Sequence, residues 1–280
     1  MIPVNGIILV LSCQKHLHTR LKHFSLPKDE YVGWKVIYVI GDLFLDCDYK
    51  LEGNFMIVKC EDSYIHLLKK LVLSLKYIYQ NFDIKEGVLR CGDDLIFNEE
   101  QLEKFLISSK TKQQASLTGQ IANSTEEIHF LGRSPSGKSL LSHEISDADI
   151  KSFTNDKFMV DYYMCHQEDF DNPLHNLKGV DISKYIKRPH IPVGPCGIIF
   201  YLSNKSCKIL INHLDNIKYN IFHYDEYTDS YPYTIEDCAV SFILYSNNIG
   251  FEHRIYMYDE HYNNPNKENV IAIHTNYNKY

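Results

Sequence analysis

The run Gly87-Val-Leu-Arg-Cys91 reads as a short apolar strand, and it passes without a break into Gly92-Asp-Asp-Leu-Ile-Phe97. A buried strand that ends on two adjacent carboxylates delivers polar groups to the rim of a sheet. Working outward, the same alternation of strand and helix appears on both sides. Gly6-Ile-Ile-Leu-Val-Leu-Ser12 is a continuous apolar run, the pattern of a strand covered on both faces. A polar stretch with helical content follows from Gln14 to Phe24. Strands at Lys35–Gly41 and Phe55–Val58 come next. Ser63 to Phe82 reads as a long helix capped by Asp62 or Ser63, with Leu67, Leu68, Leu71, Leu75 and Ile78 on one face. On the far side, Asn98 caps a helix over Glu99–Ile107. The pattern predicts an α/β fold, an open sheet flanked by helices. Such sheets bind ligands beyond the C-terminal ends of their strands, where Ser12 and the Asp93-Asp94 pair both fall.

The composition narrows the function classes. The chain has 280 residues, with 29 basic and 36 acidic side chains, for a formal charge of -7. It shows no dense Lys/Arg block, which argues against a nucleic-acid partner. Hydrophobic residues make up 44%, enough for a full core. No apolar run approaches the ~20 residues of a membrane helix, and no signal peptide is visible, so a soluble or cytoplasmic setting is expected. The eight cysteines contain no CxxC pair, which excludes a zinc ribbon and suits reduced thiols.

The chain reads as a single domain. Residues 1–110 form a first half of alternating strand and helix, 124–177 an irregular, more polar insertion with a weak strand at Phe158–Val160, and 178–280 a second half. That second half holds a strand at Cys196–Leu202, helices at Ser206–His213 and Thr234–Ser246, and a late strand Val270–Ile273 followed by His274.

Four constellations could carry chemistry. Asp93 and Asp94 could bind a hard divalent cation that holds a diphosphate; the plainer reading is a turn with acids at a helix start. Glu236 and Asp237 open a helix, and one of them could act as a general base if that end faces the same cleft. His274 could complete a Mn-type site or be an ordinary surface histidine. Gly132-Arg-Ser-Pro-Ser-Gly-Lys-Ser139 matches the phosphate-loop pattern, which would make the chain a nucleotide kinase or triphosphatase with Lys138 on the terminal phosphates. A Gly/Pro/Ser-rich turn explains the same residues.

The order of these segments resembles the β-1,3-glycosyltransferases of the galactosyltransferase/Fringe type. Four stretches carry the resemblance: Ile8–Ser12 with the following Arg20; Val36–Gly41 with Glu61-Asp-Ser-Tyr64 and Leu67–Lys70; Val88–Phe97; and Pro195–Ser203 with Glu236-Asp-Cys-Ala-Val240. The third is similar to the family's three-aspartate metal segment, with Gly92 in place of the first acid. The resemblance implies a GT-A-like, mixed but mostly parallel sheet and an inverting transfer of a sugar, Gal or GlcNAc, from a UDP-sugar to a glycan or glycoprotein hydroxyl. It implies Mn²⁺ (or Mg²⁺) on Asp94 and His274, with Asp93 beside them, and Asp237 as base next to Glu236. Ser12, Arg20, Asp62, Lys70, Asp93 and Gly197 would seat the donor. Family members usually carry a membrane anchor, so a soluble or trimmed relative is expected. Gly92 and the eroded glycine run after Cys196 leave open a relative that binds UDP-sugars without turning them over.

Overall fold

The computed structural model of the chain describes residues 1–113, 125–145, 153–155, 165–166, 168–178, 187–189, 193–217, 235–260 and 268–275. Its centre is a parallel ladder of four strands in the spatial order β6 (Phe82–Gly92), β1 (Ile2–Leu11), β3 (Trp34–Gly41) and β5 (Phe55–Val58). Beyond β5 lies β4 (Tyr49–Glu52), antiparallel to it, and β2 (Glu30–Tyr31) folds back on β3. On the other side β6 pairs with β13 (Ile199–Ser203), which pairs with β10 (Phe130–Gly132); both contacts are antiparallel. β14 (Glu252–His253) closes that edge, parallel to β10.

The sheet is therefore mixed, as expected, with a parallel centre and antiparallel pairings on both sides of it. Apolar periodicity reports that a strand is buried. It does not report direction, and β13 returns antiparallel to β6 after a long excursion. β10 lies inside the stretch read as an insertion, yet it is a strand of the main sheet. Phe158–Val160 lies outside the described residues. Small ladders pair β8 (Thr111–Gln113) with β9 (Thr125–Glu127), and β11 (Phe153–Asn155) with β12 (Lys187–Pro189).

β1 shows why its run is unbroken. Ile7, Leu9 and Leu11 enter one core; Ile8 and Val10 enter the other. Alternate side chains point to opposite faces, so a strand covered on both sides needs apolar residues throughout. The first core is covered by helices α1 (Leu67–Asn81), α4 (Asn204–Asn212) and α5 (Glu236–Tyr245), the second by α2 (Glu99–Ile107) with Trp34, Met257 and Ile271. Each large side chain so buried contributes ~1.5–3 kcal/mol. Gly6 is required by the second core: a Cβ there would stand 2.4 Å from the Trp34 ring.

α1 starts at Leu67, four residues later than the sequence suggests, and Asp62 does not cap it. The Asp62 carboxylate instead accepts from Gly41 N, Gln14 N and Lys70 Nζ, tying the ends of β1 and β3 to the helix. The helical content expected over 14–24 is two short 3₁₀ turns, Gln14–His16 and Leu21–His23. Asn98 does cap α2, accepting from Gln101 N at 3.3 Å. A second small sheet, β15 (Tyr258–Asp259), β16 (Ala272–His274) and β7 (Leu95–Phe97), lies just beyond the end of β6.

Candidate functional site

The small sheet sets the site. β16 runs antiparallel to β7 with His274 opposite Leu95. Asp94, the residue before Leu95, is thereby brought to His274, with 3.2 Å between Oδ2 and Nε2. Thr275 locks the register, its N and Oγ1 both donating to the Asp94 carbonyl. The hydrogen bond to Asp94 raises the His274 imidazole above its ordinary value, with burial working against it.

Asp93 points the other way. Its Oδ2 accepts from Ser12 Oγ at 2.5 Å and lies 2.7 Å from His16 Nδ1; its Oδ1 accepts from Arg20 Nη1 at 3.1 Å. Burial opposes the Asp93 charge, but the bonds from His16 and Ser12 outweigh it and hold the carboxyl below its usual range. Burial likewise opposes charge on His16, yet Asp93 and Cys13 push that imidazole up to about 9. Asp93 thus clamps the turn after β1. Arg20 also reaches Asp94, at 3.8 Å.

The rest of the site comes from β6, the 195–198 loop and the start of α5. Arg90, near the C-terminal end of β6, bonds the Gly197 carbonyl with one guanidinium nitrogen and Glu236 with another. Glu236 is 3% exposed, and its Oε1 and the Arg90 Nε are buried without partners. Burial pushes the Glu236 carboxyl up to about 7, with Arg90 opposing the rise. Asp237 faces Gly197: a Cβ built on that glycine would sit 3.5 Å from the Asp237 carboxylate. One cavity of about 260 Å³ is lined by Tyr64, Leu67, Asp94, Gly197, Ile198, Glu236, Asp237 and His274.

Of the residues singled out in the sequence, Asp94, Gly197, Glu236, Asp237 and His274 therefore share one cavity, although 180 positions separate Asp94 from His274. Ser12, Arg20 and Asp93 form the network beside it. Asp62 and Lys70 do not line it. They are 4% and 2% exposed, paired at 2.6 Å, and Lys70 donates to the Ser12 carbonyl. Three residues were missed: Arg90, His16 and Tyr64. A lone arginine inside an apolar strand was the signal for the first.

The donor set of Asp94 and His274 fits a divalent cation. Two ligands on neighbouring corners of an octahedron with bonds of ~2.1 Å stand about 3 Å apart, close to the observed 3.2 Å. No group of three or more His, Cys, Asp or Glu side chains is arranged for a metal among the described residues. A magnesium- or manganese-type ion suits a two-ligand site, since it completes its shell with water and substrate phosphate.

The phosphate-loop match has no such support. Gly132 ends β10, but residues 133–141 form no helix, and among the described residues up to Ile145 the one helical turn is the 3₁₀ turn Ser142–Glu144. The groups that would cradle a phosphate are used internally: Ser134 N donates to His253 Nδ1, Leu140 N to the Phe251 carbonyl, and Ser139 Oγ accepts from His253 N.

No known protein-family model matches the chain, and no curated protein matches it either. Among the described residues, no helix is long and apolar enough to cross a membrane.

Proposed function

We propose that the protein is a metal-dependent, inverting glycosyltransferase that moves a sugar from a UDP-sugar to an acceptor hydroxyl, on a GT-A-like fold. The observation that carries this reading is one cavity lined both by the Asp94–His274 pair and by Asp237. Mn²⁺ (or Mg²⁺) held by Asp94 and His274 would supply Lewis-acid stabilisation of the leaving diphosphate. Asp237 takes the proton of the acceptor hydroxyl as its oxygen bonds the anomeric carbon, and the bond from that carbon to the diphosphate breaks on the opposite face. Arg20 stands 3.8 Å from Asp94, where its charge would face a bound diphosphate. Arg90 and Glu236 fix the Gly197 loop against the start of α5 and so aim Asp237.

The test is a thermal-shift and transfer series with UDP-sugars, with and without Mn²⁺. One UDP-sugar should stabilise the protein only with Mn²⁺, since a ligand that binds the native state alone raises its stability. Asp94→Ala should lose that shift. Asp237→Asn should keep it while losing transfer by roughly 10²–10⁴-fold, the usual worth of a general base. No shift with any UDP-sugar would overturn the reading. A shift without transfer or donor hydrolysis would reduce the protein to a UDP-sugar-binding one.

A further inference from the structure

Two buried histidines, His66 between the cavity-lining Tyr64 and Leu67 and His175 far along the chain, take no part in the proposed reaction. His66 is the residue before α1, 4% exposed, with Nδ1 2.6 Å from Ser63 Oγ. His175 is 8% exposed, and its Nδ1 is buried without a partner. His175 belongs to residues 168–178, which contain the short helix α3 (Glu168–Asp171) and the fully buried Leu177. This segment is fastened at two points. The Leu174 carbonyl accepts from Asp62 N at 2.9 Å, and Lys15 Nζ pairs with Glu168 at 3.3 Å and Asp169 at 3.8 Å. Asp62 and Lys15 are also tied to the turn that follows β1. Lys15 lies in that turn, and the Asp62 carboxylate holds Gln14 N.

We propose that residues 168–178 are a latch over the Gln14–His16 turn, held shut by His66 and His175 in their neutral forms and released by acid.

The charges around the pair favour this assignment. His66 faces Glu61, Lys69, Lys70 and His175. His175 faces Asp169, Asp62, Lys70 and Lys15, with Glu168, Asp171 and Lys178 elsewhere on its own segment and His166 just before it. Burial is the largest influence on both rings and disfavours their charged forms. The His66 imidazole falls to about 4, and His175 is lowered too. A released segment would return each ring towards the ordinary value of about 6.5. The closed form then binds fewer protons than the open one. Closure is therefore fully favoured above that value and weakens as pH falls below it, up to tenfold per pH unit for each ring until its closed-state value is reached. Because Asp62 and Lys15 join the latch to the turn carrying His16, opening loosens the network that clamps Asp93.

Hydrogen exchange tests this without reference to catalysis. Protection of the 168–178 amides, corrected for intrinsic exchange, should fall at least about tenfold between pH 8 and pH 5. Protection in β1 follows the stability of the whole molecule, so the fall in 168–178 should exceed any change in β1. A His66→Gln/His175→Asn variant should lose most of that pH response. Equal protection at both pH values, or an unchanged response in the variant, would overturn the latch. Should the double variant fail to fold, seen as lost protection in β1, Lys15→Met serves instead. It removes an exposed ion pair, so it should raise exchange at pH 8 yet leave the pH response in place. A response that vanishes with Lys15 would assign the sensing to Glu168 and Asp169 and refute the role of the histidines.

Discussion

Glu236 and Asp237 are neighbours in sequence with different surroundings. Glu236 is closed off with Arg90, while Asp237 faces Gly197. The Glu236 carboxyl rises from 4.5 to about 7 on folding, so the folded state holds its proton more tightly than the unfolded chain. Its contribution to stability is full below 4.5 and is lost as pH rises through 7. A rise of that size corresponds to on the order of 3 kcal/mol at ~1.4 kcal/mol per unit. Denaturant unfolding of wild type and Glu236→Gln should show it. The wild type's stability relative to the variant should fall by about that much between pH 4.5 and pH 8, and a constant difference would refute the account. Gly92 gives a second prediction at this scale. Restoring an acid there looks from the sequence like a repair, yet a Cβ at 92 would lie 2.8 Å from Asp94 Oδ1. Gly92→Asp should therefore displace the Asp94 carboxylate and weaken Mn²⁺ binding by roughly 10–100-fold in a metal titration, the range seen when groups next to a ligand are disturbed. Tighter binding would show that the two carboxylates cooperate.

At the scale of elements, Asp62 matters more to the end of β1 than to the start of α1. It receives three hydrogen bonds from three segments, and its partner Lys70 is 2% exposed. Asp62→Asn would leave Lys70 buried without its counter-charge, which costs ~3–5 kcal/mol. A loss below ~1 kcal/mol in chemical denaturation would mean that the Ser12 carbonyl alone satisfies the ammonium. The same residue shows what the sequence could reveal. The apolar runs of β1, β3 and β5 and the Asn98 cap of α2 were legible because local pattern determines them. Asp62 was read as a cap because an acid before an apolar helix has that local signature. Its actual bonds reach Gly41 and Gln14, and no local rule encodes them. Strand direction was hidden for the same reason: β13 is as apolar as a parallel strand, and only its antiparallel register with β6 tells them apart. The cavity was legible in its acids and His274. Arg90 was passed over inside a run that reads as core.

On the scale of the whole molecule, the cavity is assembled from residues far apart in the chain. Asp94 closes the first half, Gly197 and Asp237 come from the second, and His274 is reached six residues from the C-terminus. Residues 1–110 bring Arg20 to within 3.8 Å of Asp94, while the histidine beside it comes from the far end of the second half. Two variants separate support for the fold from support for the metal. Ending the chain at residue 269 removes β16 together with Val270, Ile271 and Ile273, which are 6%, 1% and 9% exposed. At ~1.5–3 kcal/mol for each large apolar side chain, stability should fall by roughly 5 kcal/mol, and any Mn²⁺-dependent shift should vanish. His274→Gln keeps β16, whose pairing with β7 and Thr275 bonds to Asp94 use backbone groups and the Thr275 hydroxyl. It should unfold within ~1 kcal/mol of wild type, as substitutions outside the core commonly do, and still bind Mn²⁺ more weakly. If His274→Gln binds Mn²⁺ as wild type does while the truncated chain does not, the C-terminal strand serves only to hold Asp94 in place, and His274 is not a ligand.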